Sequence, residues 1–248
     1  MNSVHVGSMG WSYSFWVENF YPRGLRPSEF LAEYSKHFET VEVNNTFYRV
    51  PSESTLLKWR EQTPKGFLFS AKFPQVITHK KMLKDGEPEM QFFIERISVL
   101  QEKVGPLLLQ FPPVFGPEEA TLLGDFLTKL PKKHRYAVEV RNKKLLGHKL
   151  YSLLKENGVA LAINPLMPET EQITTDFACI RWEGDRRKVN GALGKVEVDR
   201  TDDIEKWAAK ISKFLVETKE VFGYFSKYYS GHPPTDARQL VESLGLIS

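Results

Sequence analysis

The sequence predicts an α/β protein, a single (β/α)8 barrel of the TIM type with its sixth helix reduced or absent, in which residues 1–248 form one domain. Three observations carry that expectation. Eight short apolar runs recur at even spacing, segments of helical periodicity separate them, and no Gly/Ser linker, repeat or low-complexity tract divides the chain. Strands alternating with helices imply a parallel sheet, and eight of them favour closure over an open doubly wound sheet.

The runs are VHVGS at 4–8, TVEVN at 40–44, FLFSAK at 67–72, LLLQF at 107–111, YAVEVR at 136–141, VALAIN at 159–164, FACIRW at 177–182 and VFGYF at 221–225. Helices are expected at PSEFLAEYSKHF from Pro27, ESTLLKWREQ from Glu53, PEMQFFIERISVLQEKV from Pro88 and PEEATLLGDFLTKL from Pro117. Three more are expected at HKLYSLLKENG from His148, DDIEKWAAKISKFLVETKE from Asp202 and DARQLVESLG near the end. Pro27, Pro88 and Pro117 stand at helix starts, where a missing N–H is harmless, and Gly158 and Gly245 stand at helix ends. NPLMPETEQITTD at 164–176 has two prolines and no helical period, so no helix is expected after the sixth strand.

Composition excludes several classes. Hydrophobic content of 41% and charged content of 26% over 248 residues belong to an ordinary globular protein, without a collagenous, coiled-coil or disordered signature. The lone Cys179 excludes an internal disulfide framework and any cysteine-cluster metal site. MNSVHVGSMGWSY lacks the basic, apolar and small-residue segments of a signal peptide, and no stretch approaches the ~20 apolar residues of a membrane span. The expected location is the cytoplasm, with no membrane partner. A net charge of +3 and a pI near 8.8 permit contact with phosphates but fall short of the pI above ~9 of a dedicated nucleic-acid module.

Strand alternation then decides which side chains face the barrel axis. In TVEVNNTFY, Val41 and Val43 face the helices while Glu42 and Asn44 face inward. The same period sends Ser70 and Lys72, Gln110, Glu139 and Arg141, Asn164 and Arg181 inward at the C-terminal ends of their strands. Lower inward positions are small or apolar: Leu68, Leu108, Ala137, Ala162 and Cys179. Barrel enzymes keep their active sites at that C-terminal mouth. Burying so many ions costs several kcal/mol each before pairing, so a cluster kept only for structure is a poor solution. Strand seven brings no inward carboxylate beside Arg181, and its removal is therefore expected to be nearly neutral for stability. Aromatic residues crowd the same end, among them Trp11, Tyr13, Trp16, Phe47, Tyr48, Phe115, Tyr228 and Tyr229. Loop packing accounts for some of them, and others are placed to stack on a sugar or a base.

GWSY at 10–13, FYP at 20–22, TVEVNNTFYRVP at 40–51, KFPQVITH at 72–79, GPLLLQFPP at 105–113, AVEVR at 137–141 and DFACIRWEG at 176–184 together resemble the YecE-like family, domain of unknown function 72. The matches run in order from strand one to strand seven. The resemblance implies a TIM barrel of the kind compared with endonuclease IV and xylose isomerase, and it implies no established reaction. Trp11, Tyr13, Glu42, Asn44, Phe47, Tyr48, Lys72, Thr78, His79, Gln110, Pro112, Pro113, Glu139, Arg141 and Arg181 carry the family's motif. The chain departs from it after strand six, where INPLMP replaces an aspartate-containing segment, and after strand eight, where Ser226, Lys227 and Tyr228 replace paired asparagines.

The favoured chemistry is capture of a small anionic or sugar-containing ligand by Lys72, Arg141 and Arg181, because guanidinium forks match carboxylate and phosphate oxygens. Trp11, Tyr13, Asn44, Tyr48 and Gln110 complete the expected binding set. Glu42 or Glu139 would serve as general base and His79 as a mobile acid or base, although His79 reads equally as a loop histidine bonded to backbone. A metal-independent hydrolase, lyase or isomerase is the class this suggests. A glycosidase pair would need Glu42 and Glu139 about 5 to 10 Å apart, and strands two and five lie well round the barrel from each other. No metal is expected, since His79 is the only nearby histidine and the cations would repel one. No cofactor is expected either, for the chain has no dinucleotide fingerprint, Walker loop or G-x-S-x-G elbow. The alternative is a weak nucleic-acid binder or processor, by analogy with endonuclease IV-like barrels, using the basic excursion GDRRKVNGALGKVEVDR at 184–200.

Overall fold

In the computed structural model, which describes residues 3–246, the eight apolar runs become eight parallel strands. They are β1 (Ser3–Ser8), β2 (Thr40–Val43), β3 (Leu68–Lys72), β4 (Val104–Gln110), β5 (Tyr136–Glu139), β6 (Ala160–Ile163), β7 (Phe177–Trp182) and β8 (Glu220–Phe225). The sheet order β1-β8-β7-β6-β5-β4-β3-β2 is that of a rolled sheet whose two ends, β1 and β2, meet at a seam. Among the described residues seven α-helices surround it: α1 (Phe30–Tyr34), α2 (Glu53–Gln62), α3 (Glu87–Ile97), α4 (Ala120–Thr128), α5 (His148–Asn157), α6 (Thr201–Glu217) and α7 (Pro233–Ser243). Between β6 and β7 the chain makes only a single 3-10 turn at Pro168–Thr170, as the two prolines there require. Among the described residues no helix is long and apolar enough to cross a membrane.

Alternation along the strands divides the core into two. Val41, Val43, Phe69, Val138, Ile180 and Trp182 pack outward beneath the helices, where α6 adds Ile204, Trp207, Ala208 and Ile211 at helical spacing. The axis is filled by Met9, Leu108, Ala137, Ala160, Ala162, Phe177, Cys179, Phe222 and Tyr224. Tyr224, on a strand whose inward positions the sequence reading leaves unassigned, is fully buried and shares a 3.0 Å hydrogen bond with Thr40 Oγ1. This plug seals the barrel below the mouth.

Several boundaries differ from expectation. The long helix expected from Pro88 ends at Ile97, and a 3-10 segment carries the chain through Gln101, at φ 53°, into a strand that starts at Val104 rather than at 107. Lys103 explains the early stop. Its buried ammonium donates to the carbonyls of Arg60 and Thr63 at 2.7 Å each and to Thr63 Oγ1 at 2.9 Å, which anchors the chain to the end of α2. The fifth strand ends at Glu139, so Arg141 lies just beyond it.

The seam is closed by a side chain. β1 and β2 share one bridge, Met9 with Glu42, rather than a ladder. Below it the Tyr34 hydroxyl, delivered by α1, accepts from the Ser8 N–H at 2.9 Å and donates to the Thr40 carbonyl at 3.1 Å. Close approach is possible because position 7 is glycine; a Cβ there would stand 2.1 Å from the Thr40 carbonyl oxygen. Replacing Tyr34 by Phe leaves buried backbone groups without partners, so Tyr34→Phe is expected to cost about 1–3 kcal/mol in urea unfolding. An unchanged midpoint would mean that packing alone holds the seam.

Candidate functional site

Every strand from β2 to β7 ends in a polar group or passes into one, and two of the inward ones, Glu42 and Glu139, meet on a single guanidinium. Arg181, at the end of β7 and only 2% exposed, forms a bidentate pair with Glu42, Nε to Oε2 at 2.8 Å and Nη2 to Oε1 at 2.9 Å. Its Nη1 bonds to Glu139 Oε2, and Nη2 lies 3.5 Å from Met9 Sδ. Glu42 and Glu139 are both fully buried. Burial alone would push the Glu139 carboxyl up, but Arg181 and Arg141 outweigh it and hold it below the usual carboxylate range. Burial likewise works against the charge on Arg181, and the two glutamates overcome it.

Several sequence expectations are corrected by this arrangement. Arg181 is paired across the barrel axis with carboxylates from strands two and five, although β7 itself brings none alongside. It is therefore already neutralised by two buried carboxylates, and it also lines the cleft above them. Strands two and five are separated by β3 and β4, as expected, yet the Glu42 and Glu139 side chains reach the axis and are joined there by one guanidinium. Their oxygens are spent on Arg181, on Asn44 Nδ2 (2.9 Å to Glu42 Oε1) and on Arg141 Nε (3.0 Å to Glu139 Oε1), which leaves neither placed as a general base. Trp11 also lies elsewhere. Its ring packs edge-on against Trp59 and Phe69, and the residue lines a smaller adjoining cleft with Met9, Tyr13 and Asn44 rather than the main one.

Above the ion cluster lies an open cleft of about 580 Å³ lined by Tyr13, Asn44, Tyr48, Lys72, His79, Gln110, Arg141 and Arg181 from the expected set. Lys72 Nζ donates to Gln110 Oε1 at 2.7 Å and sits 4.0 Å from the centre of the Phe47 ring. Gln110 is itself held by its Nε2 donating to the Phe111 carbonyl at 2.7 Å, so its oxygen must face the lysine. Burial, reinforced by Arg181, brings the Lys72 ammonium down to about 8. His79 lies in a π-helical turn, Val76–Lys80, with Nδ1 2.9 Å from Thr78 Oγ1. Burial and then Lys72 and Arg141 lower its pKa and favour the neutral ring. Tyr13 donates to the Met9 carbonyl at 2.7 Å, and burial pushes its phenol up to about 12. Tyr48 is 75% exposed and stands at the rim.

The structure adds groups that the sequence reading did not assign. Glu183 follows Arg181 by one alternation, lies 3.4 Å from Arg181 and 3.7 Å from Arg141, and is the one carboxylate that lines the cleft among the described residues. Extending the period-two count two residues past Arg181 would have found it. Arg186 packs over the Tyr228 ring at 4.7 Å, and Lys227 lies over Tyr13, Phe15 and Tyr228 at 5.1–5.9 Å. These come from the loops after strands seven and eight, where no periodicity reports direction. The excursion at 184–200 is tied down. Glu197 accepts from the N–H groups of Asn190 and Gly191 at 2.8 and 2.7 Å, and Arg187 turns onto Asp185. Among the described residues no cluster of three His, Cys, Asp or Glu side chains is placed to share a metal ion.

The geometry ranks two arginines. Arg181→Ala strands two buried carboxylates and is expected to cost about 3–5 kcal/mol of stability. Arg141 is 40% exposed and leaves Glu139 with Arg181, so Arg141→Ala is expected to cost about 1 kcal/mol. Denaturant titrations of both variants check the order; equal losses would show that the guanidinium of Arg181 is not the keystone.

Comparison with known proteins agrees with the fold. A family profile described as "Protein of unknown function DUF72" matches residues 5–247. The UPF0759 protein YecE of Escherichia coli K12 is 38% identical over 139 residues, which take in 56% of this chain and 48% of YecE, so the match spans about half of that relative's length. The UPF0759 protein YunF of Bacillus subtilis is 24% identical over 98% of the chain and 95% of its own. A crystal structure of a DUF72 family protein from Thermotoga maritima superposes with a TM-score of 0.81 at 26% identity, covering 98% of this chain and 99% of that one. One from Enterococcus faecalis superposes at 0.78 with 23% identity, over 100% and 99%. With a barrel of this form and a family match along nearly its whole length, the chain belongs to the DUF72 family.

Proposed function

We propose that the mouth of the barrel binds a small anionic ligand, a phosphate, carboxylate or sugar phosphate, and that Glu183 supplies whatever acid or base chemistry follows. One observation carries the reading. Lys72, Arg186 and Lys227 line the cleft without an ion-pair partner among the described residues, each leaning instead on an aromatic ring. Cations that fold without a counter-ion are exposed to mutual repulsion, which an anion between them relieves. Arg141 lines the same space. Glu183 has only long contacts to its two arginines, so its carboxylate is the one with capacity left for a proton. The nucleic-acid reading is the weaker of the two, since Arg187 is occupied by Asp185 and the 184–200 excursion is pinned against the loop after β8.

Thermal melts in phosphate against chloride of equal ionic strength test the proposal. Wild type is expected to gain stability with phosphate concentration by mass action, and Lys227→Ala to lose most of that gain while Arg187→Ala keeps it. The groups nearest Lys72 are Arg181, Glu139, Glu42, Arg141 and His79, and of these His79 is already neutral at pH 7. Phosphate affinity is therefore expected to fall as pH rises through about 8, where Lys72 loses its proton. A melting shift equal in phosphate and chloride would remove the anion site.

A further inference from the structure

We propose that Lys72 is a nucleophile that captures the carbonyl carbon of a small anionic aldehyde or ketone as an imine. This rests on the anion-site reading and names the substrate class for it. The amine lies at the C-terminal end of β3, on the floor of the cleft, with no carboxylate in ion-pair range among the described residues. A lysine kept only for charge would be served by a glutamate, and two glutamates stand nearby, yet both face Arg181. Lys72 is instead positioned by a neutral acceptor whose own orientation is locked, since Gln110 is tied to the Phe111 carbonyl. One N–H is held by that oxygen, the Phe47 ring centre lies 4.0 Å from the nitrogen, and the side chain lines the open cleft.

The electrostatics agree. An amine becomes nucleophilic when burial and neighbouring cations favour its neutral form, and both act here, burial first and Arg181 second. The cations that depress it also choose the substrate. A carboxylate or phosphate resting on Arg141, Arg186 and Lys227 would hold an adjoining carbonyl over Lys72. The neutral amine adds to the carbonyl carbon, and a proton passes from nitrogen to oxygen to give the carbinolamine. The hydroxyl then leaves as water with one further proton, delivered by Glu183 from solvent, and the protonated imine remains. Nothing is oxidised or reduced.

Reductive trapping tests this. The full chain is incubated with pyruvate or glyoxylate, or with neutral acetone or propanal, in the presence of cyanoborohydride, which delivers hydride to the imine carbon and leaves a stable secondary amine. Peptide mass mapping then reads each lysine. The expected result is labelling of Lys72 at least about tenfold faster by the anionic carbonyls than any other lysine is labelled, as an activated amine requires. Inorganic phosphate is expected to suppress it, and Lys72→Arg to abolish it while still gaining stability from phosphate. Phosphate stabilisation without selective labelling of Lys72 would overturn this inference and leave the anion site standing. Absence of both would remove both. Selective labelling by the neutral carbonyls to the same extent as by the anionic ones would overturn the substrate class.

Discussion

One buried guanidinium organises the mouth of this barrel. Arg181 from β7 reaches across the axis to Glu42 on β2 and Glu139 on β5, strands that otherwise meet only through their neighbours. Removing three ions from water costs several kcal/mol each, and only good geometry with filled hydrogen-bonding capacity offsets that. The bidentate fork on Glu42, the third donor to Glu139 and the amide of Asn44 supply it. Two carboxylates and one guanidinium leave a negative charge over, and Arg141 balances it from the half-exposed side.

With that cluster near neutrality, the remaining cations stand out. Lys72, Arg186 and Lys227 belong to the cleft rather than to the cluster, and aromatic faces rather than acids support them. A quadrupole attracts a cation without neutralising it. The cations of the cleft thus keep their charge above a rigid floor. The floor is rigid because Tyr224, Cys179 and the small alanines fill the axis below it, and because Tyr34 joins the strands at the seam.

Much of this was legible in the chain. TVEVN, FLFSAK and FACIRW alternate so cleanly that the inward and outward assignments of Val41, Glu42, Phe69, Lys72, Ile180 and Arg181 follow from the pleat alone. The missing sixth helix was equally visible in NPLMP. Trp11 was not, because it follows a strand end where the period has lapsed, and loop direction depends on what lies behind it. Lys227 escaped for the same reason, and Arg186 reads from the sequence as part of a basic excursion for nucleic acid rather than as a wall of the mouth. Tyr34 looked like one more apolar position of a helix, since nothing local reports that its hydroxyl spans a seam.

By itself, then, the sequence determined the barrel, the strand faces and the polar character of the mouth, because periods of 2 and 3.6 residues are local properties of the backbone. Only the tertiary structure decided the partners. Counting past the end of β7 reaches Glu183 but neither of the carboxylates that bind Arg181 most closely, and counting suggests that Glu42 and Glu139 are far apart. Closure of the sheet brings residues 42, 139 and 181 to one point on the axis. Whether a charge is free to bind or already neutralised depends on through-space distances of a few ångströms, and those distances arise only when the strands have curved round to meet.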